Sequence, residues 1–126
     1  MRLTVIGCSG SFAGPDSAAS CYLVQARDAA GRLWSVVLDL GSGAFGPLQR
    51  ALPPEAIDAV CLTHLHPDHC SDMSGLRVYS KYHPAGALAP VAVHGPAETG
   101  RVLARIHGLR EDRRAEEEFS VRTWAE

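Results

Sequence analysis

Hydrophobic and polar positions along the chain divide it into short apolar runs separated by polar, glycine-rich joins. Leu3 to Ile6 is apolar and β-branched and stops at Gly7, which predicts a first strand. Gly7 to Ser20 is rich in Gly, Ser, Ala and Pro and is a predicted loop. Cys21–Ala26 and Trp34–Leu40 are two more predicted strands, joined as a hairpin through a polar linker around Gly31. The second runs into Asp39-Leu40-Gly41-Ser42-Gly43, where glycines allow a sharp turn. Phe45–Leu52 is helix-compatible and is stopped by Pro53-Pro54. Ile57–Leu62 is a further strand. From Asp68 toward Tyr82, Met73, Leu76 and Tyr79 recur at helical spacing and predict one helix with a buried stripe, ended by Pro84-Ala85-Gly86.

The rest alternates in the same way. Pro90–Val93 is a predicted strand, Gly95-Pro96 a turn, and Ala97–His107 a helix with Val102, Leu103 and Ile106 inward. Arg110–Glu118 is densely charged, as a solvated helix end or loop would be, and Phe119–Trp124 alternates like a last strand. Strands come first, then strand–helix–strand–helix–strand. That order predicts an α/β domain with a mixed sheet spanning residues 1–126.

Composition narrows the class. A chain of 126 residues, 46% apolar, can build one globular core. Its formal charge of −2 gives no broad electrostatic basis for nucleic-acid binding. Cys8, Cys21, Cys61 and Cys70 form no C-x-x-C pair, the N-terminal apolar stretch is too short for a signal peptide, and no run reaches membrane-spanning length. The expected setting is reducing and cytoplasmic, with free thiols and no membrane partner. Gly7-Cys8-Ser9-Gly10-Ser11 lacks the lysine and the following helix of a phosphate cradle, so it reads as a turn between strands.

Chemistry concentrates in Thr63-His64-Leu65-His66-Pro67-Asp68-His69, directly after an apolar strand. Residues two apart on an extended segment share a face, and Pro67 holds His66 out of the helical region, so His64 and His66 can meet one metal ion. Asp68 and His69 fall where the helix begins and point from another direction, placed for a second ion. The partial positive charge of a helix N-terminus keeps His69 in its neutral, ligating form and favours ionised Asp68 and Asp72. The bland alternative makes Asp68 an N-cap and the histidines loop residues. Histidines at 64, 66 and 69, with a proline fixing their register, fit metal binding better, and the ligand types suit zinc, manganese or iron.

His64-x-His66-x-Asp68-His69 resembles the H-x-H-x-D-H signature of the metallo-β-lactamase superfamily. The Gly-Ser loop after the first strand, Leu38-Asp39-Leu40-Gly41 and Val93-His94-Gly95-Pro96 resemble its ribonuclease Z-like branch, and within it the bacterial cyclic-nucleotide phosphodiesterase-like hydrolases. The resemblance covers essentially the whole chain but only the first half of the family fold, an αββα sandwich with a dinuclear metal site at one edge. It implies that His64 and His66 ligate a first divalent ion, and Asp68 and His69 a second, with Asp68 also the catalytic residue. It implies that Asp39 lies behind the ligands and orients their imidazoles. It implies hydrolysis by a metal-activated water.

The family completes its site with further His and Asp residues downstream, and no residue here matches them. On a continuous helix His83 would lie about 21 Å from His69. His94, ending a strand parallel to Ile57–Leu62, is a candidate for the edge of the site. His107 reads as a helix C-terminal residue stabilised by the dipole, and Cys70 as a buried, inert thiol.

The expectation is therefore the N-terminal half of a metal-dependent phosphodiesterase acting on a cyclic nucleotide or an RNA 3′ end. A small substrate is favoured over RNA by the charge. The alternatives are a thioester or lactam hydrolase of the same superfamily, and a non-catalytic metal-binding fragment. Half a sandwich exposes an apolar sheet face, so a homodimer is also expected.

Overall fold

The computed structural model describes residues 1–109 and 118–124. Its frame is a six-stranded mixed sheet whose strands lie side by side in chain order. They are β1 (Arg2–Gly7), β2 (Cys21–Arg27), β3 (Leu33–Leu38), β4 (Ala59–Cys61), β5 (Val91–Gly95) and β6 (Phe119–Thr123). The first three pair antiparallel. From β3 onward the pairing is parallel, as the intervening helices require. The helices are α1 (Phe45–Ala51), α2 (Pro67–Cys70), α3 (Met73–Lys81) and α4 (Thr99–Ile106).

Alternation along each strand sorts the two faces. Cys21, Leu23, Val37, Val60, Val93 and Phe119 point to one side and join Leu48 of α1, Met73 and Leu76 of α3 and Leu103 of α4 in a single core. The other face carries Leu3, Val5, Tyr22, Val24, Val36, Leu38, Cys61 and Ala92, brought into register by the ladders. Leu3 and Val5 there are 59% and 55% exposed. A sheet apolar on both sides but covered on one is half of a layered sandwich.

Several sequence expectations change. The helix predicted over Asp68–Tyr82 is two helices, α2 and α3. The carbonyl of Asp68 accepts the N–H of Ser20 (3.1 Å), that of His69 accepts Leu40 (2.8 Å), and Asp72 N–H turns to Leu40 O (3.1 Å). These bonds replace the i to i+4 bonds that would have joined the helices. The strand predicted over Ile57–Leu62 narrows to Ala59–Cys61, because Ile57 closes a 3-10 turn (Pro54–Ala56) on Pro54 O. On α4, Ile106 is exposed while Leu103 and Ala104 are buried. On α3 the third position of the stripe is Ser80, whereas Tyr79 reaches outward to donate to Glu55 (2.8 Å).

The charged stretch from Arg110 lies outside the described residues except for Glu118. That residue is buried beside Arg77 (Nε–Oε2 3.0 Å) and Lys81 (Nζ–Oε1 3.5 Å), tying α3 to the start of β6. His107 follows neither the dipole argument nor ordinary titration. Its ring packs near Phe119, and burial, then the Arg77 charge, push its pKa down to about 4.

Candidate metal centre

Parallel pairing of β3 with β4 brings the C-terminal ends of both strands to one edge of the sheet, the usual place for a site in an open α/β sheet. β3 leaves the ladder at Asp39, whose φ of 57° is left-handed, a conformation Asp tolerates better than most residues. The reversal buries its carboxylate, and Asp39 N–H binds Cys61 O (2.9 Å). One strand over, the chain emerges from β4 through Leu62 into Thr63 and His64.

The buried Asp39 carboxylate gathers the edge together. Oδ1 accepts the backbone N–H of Thr63 (2.8 Å), and both oxygens lie within 3.0 Å of the Thr63 hydroxyl. Oδ2 also accepts from Ser20 Oγ (3.1 Å) and His69 Nδ1 (2.7 Å). Asp39 thus holds the His69 imidazole in a fixed orientation. Sequence reasoning missed Ser20 and Thr63. Thr63 could have been suspected from its place beside His64, but nothing local marks Ser20, whose partner is distant in the chain.

His64, Asp68 and His69 each offer a ligand atom, and these atoms all lie within 4.8 Å of one another. The His64 and His69 rings are 3.8 Å apart, and His69 Nε2 lies 3.2 Å from Asp68 Oδ2. With its Nδ1 proton directed at Asp39, His69 carries a lone pair on Nε2, facing a carboxylate oxygen. Two lone-pair atoms so close call for positive charge between them, either a second ring proton or a metal ion. A nitrogen and oxygen donor set of this kind fits a borderline divalent ion, so the residues present suit the metal the sequence implies.

His66 stands next to this group and not within it. Its ring meets His64 edge-on at 4.9 Å; Asp68 and His69 lie together as the sequence pairs them, but His64 joins that pair while His66 stays to one side. His66 is the N-cap of α2 and Pro67 its first residue, so Asp68 is not the cap. His94 pairs in register with Cys61 on parallel β4, as expected, but its ring stacks with Trp124 (5.8 Å) outside the group. His83 sits against Tyr79 (5.4 Å). The Cys70 thiol donates to the carbonyls of Leu65 (3.4 Å) and His66 (3.3 Å). Burial, with Asp39 and Asp68 nearby, raises it to about 11, which keeps it protonated and unreactive.

The fold is held at the site by close backbone contact. Gly41 N–H binds Ser20 O (2.9 Å), and a Cβ on Gly41 would overlap the Asp68 carbonyl. Asp72, just past α2, accepts the N–H of Phe45 (2.9 Å) and so caps α1 from a distance.

This architecture and the His64-x-His66-x-Asp68-His69 motif are those of the metallo-beta-lactamase superfamily, whose family model matches residues 14–126. The chain belongs to that superfamily. An uncharacterised protein of Mycobacterium leprae is 42% identical over 130 aligned residues, covering 100% of this chain and 43% of that protein. The metallo-beta-lactamase fold protein YhfI of Bacillus subtilis superposes with a TM-score of 0.74 at 26% identity, covering 98% of this chain and 45% of YhfI. The short form of human tRNase Z superposes with a TM-score of 0.71 at 20% identity, again over 98% of this chain and 45% of that one, a likeness of fold. The chain therefore spans less than half the length of these relatives. No helix among the described residues is long and apolar enough to cross a membrane.

Proposed function

We propose that this chain supplies ligands to a dinuclear metal centre that hydrolyses a phosphodiester, a cyclic nucleotide or an RNA 3′ end, with the small substrate preferred. The observation that carries the reading is the convergence of His64, Asp68 and His69 within 4.8 Å at the carboxyl edge of β3 and β4. Divalent ions bound there, zinc or alternatively manganese or iron, would supply Lewis acidity toward a phosphoryl oxygen and lower the pKa of water. His64, Asp68 and His69 would hold them, with His66 beside His64. Asp39 keeps the His69 ring fixed through Nδ1 while its Nε2 faces Asp68. Phosphodiester chemistry is favoured over thioester or lactam hydrolysis by the likeness to the ribonuclease Z-like branch. The net charge of −2 favours a small substrate over RNA.

Metal per chain and turnover of bis(p-nitrophenyl) phosphate test the reading together, with His66→Ala and Asp68→Ala as comparisons. Bound zinc, manganese or iron that is lost in Asp68→Ala, with turnover that falls in both variants, is the expected result. Stoichiometric metal without turnover would leave a metal-binding half and refute hydrolysis by this chain. No metal uptake would refute both.

A further inference from the structure

We propose, resting on the metal-centre reading above, that Thr63 is a positioning residue whose hydroxyl fixes the tautomer and orientation of His64 while tying that ring to the carboxylate that holds His69. Proton accounting leads there. A carboxylate accepts and does not donate, so the Thr63 hydroxyl, 3.0 and 2.9 Å from the two oxygens of Asp39, commits its single proton to them. His64 Nδ1 lies 3.2 Å from that same hydroxyl oxygen and can then bond to it only by donating. His69 Nδ1 has two neighbours, Asp39 Oδ2 at 2.7 Å and Thr63 Oγ1 at 3.3 Å, and donates for the same reason. Both rings are thereby held as Nδ1–H tautomers, leaving each Nε2 with the lone pair that a metal ligand needs.

The two imidazoles differ in what secures them. His69 has Asp39 directly. The ring nitrogen of His64 has the Thr63 hydroxyl, so Thr63 is the link through which Asp39 reaches His64. Serine preserves this link and valine, of nearly the same shape, removes it. The backbone N–H of Thr63 still meets Asp39 Oδ1 in either variant.

Long-range proton–nitrogen correlations of the histidine rings in the metal-free chain, with Co(II) titration followed by visible absorption, test the assignment. Wild type and Thr63→Ser are expected to show a proton on Nδ1 of both His64 and His69. In Thr63→Val, His64 becomes a mixture of tautomers and His69 is unchanged. Co(II) affinity is expected to fall about tenfold in Thr63→Val and to recover in Thr63→Ser. Should Thr63→Val not fold, Thr63→Ala removes the same hydroxyl with less bulk and carries the same expectations. An unchanged His64 tautomer, or Co(II) affinity within about twofold of wild type, overturns the role of Thr63 alone, since a bound metal would still stand. A wild-type chain that takes up no Co(II) overturns the metal centre and this role with it.

Discussion

Replacing Gly41 with alanine asks whether the site is braced by backbone contact or merely lies near it. A Cβ at Gly41 would stand 2.6 Å from the carbonyl carbon of Asp68, closer still to its oxygen, and 3.1 Å from the Ala19 Cβ. Ordinary contact begins near 3.4 Å, and what it meets is backbone, so α2 must move away from the Asp39–Gly43 turn. That movement strains the bonds from Ser20 N–H to Asp68 O and from Leu40 N–H to His69 O. Each is worth about 1 kcal/mol, and overpacking itself costs about 1–3 kcal/mol, so a loss of about 3 kcal/mol is expected. Gly46, within α1, meets nothing within 4 Å, and Gly46→Ala should instead stabilise by up to about 1 kcal/mol through helix propensity. Urea unfolding of both variants, with Co(II) titration, reads the contrast. Because Asp68 and His69 sit on the displaced segment, Gly41→Ala should also weaken Co(II) binding, whereas Gly46→Ala should not. A Gly41→Ala protein with wild-type midpoint and affinity would refute the bracing.

Other outcomes follow from buried groups and the open face. Glu118→Ala strands Arg77, only 14% exposed at its side chain, without its carboxylate and should cost about 3 kcal/mol in urea unfolding, more than Glu118→Gln. His107 has a folded pKa of about 4 against an ordinary 6.5, so the unfolded chain binds the extra proton between those values. Its contribution is therefore fully present above pH 6.5 and is lost as pH falls toward 4. His107→Leu should flatten the stability profile across that window, and an unchanged slope would mean that the ring is not buried in solution. The uncovered apolar face should make the chain self-associate, with sedimentation velocity showing concentration-dependent dimers that Val36→Glu disperses. Monomer at every concentration would refute that use of the face.

Much of the architecture was legible because it rests on local pattern. The β-branched runs, the hairpin near Gly31 and the alternation of Phe119–Trp124 each carry their own period, and the ladders fall where the pattern puts them. The break between α2 and α3 was not legible. Met73 and Leu76, which carry the helical spacing, both lie on α3 beyond it, while the bonds that cause it come from Ser20 and Leu40, distant in the chain. The same distance hid Ser20 as a partner of Asp39. Ile106 and His107 exchange their expected roles because α4 presents Leu103 and Ala104 to the core, and β6 then brings Phe119 against the His107 ring. His64, Asp68 and His69 were legible as candidates from residue type and spacing, and their side chains do come together. Their grouping, with His66 to one side, depends on side-chain directions that spacing alone leaves free.

The interruption after α2 also separates timescales. The α2 carbonyls that would bind α3 are bound to the loops flanking β2 and β3 instead. α3 can then fray from its Tyr82 end without carrying Asp68 or His69 along, because the bonds that place those two residues open only when the sheet edge itself opens. Hydrogen exchange should show this directly: the amides of Ser20 and Leu40 slow and exchanging together, the last turn of α3 much faster. The spacing of Asp68 and His69 at this edge is a property of the sheet, insulated from the breathing of the helix that follows it.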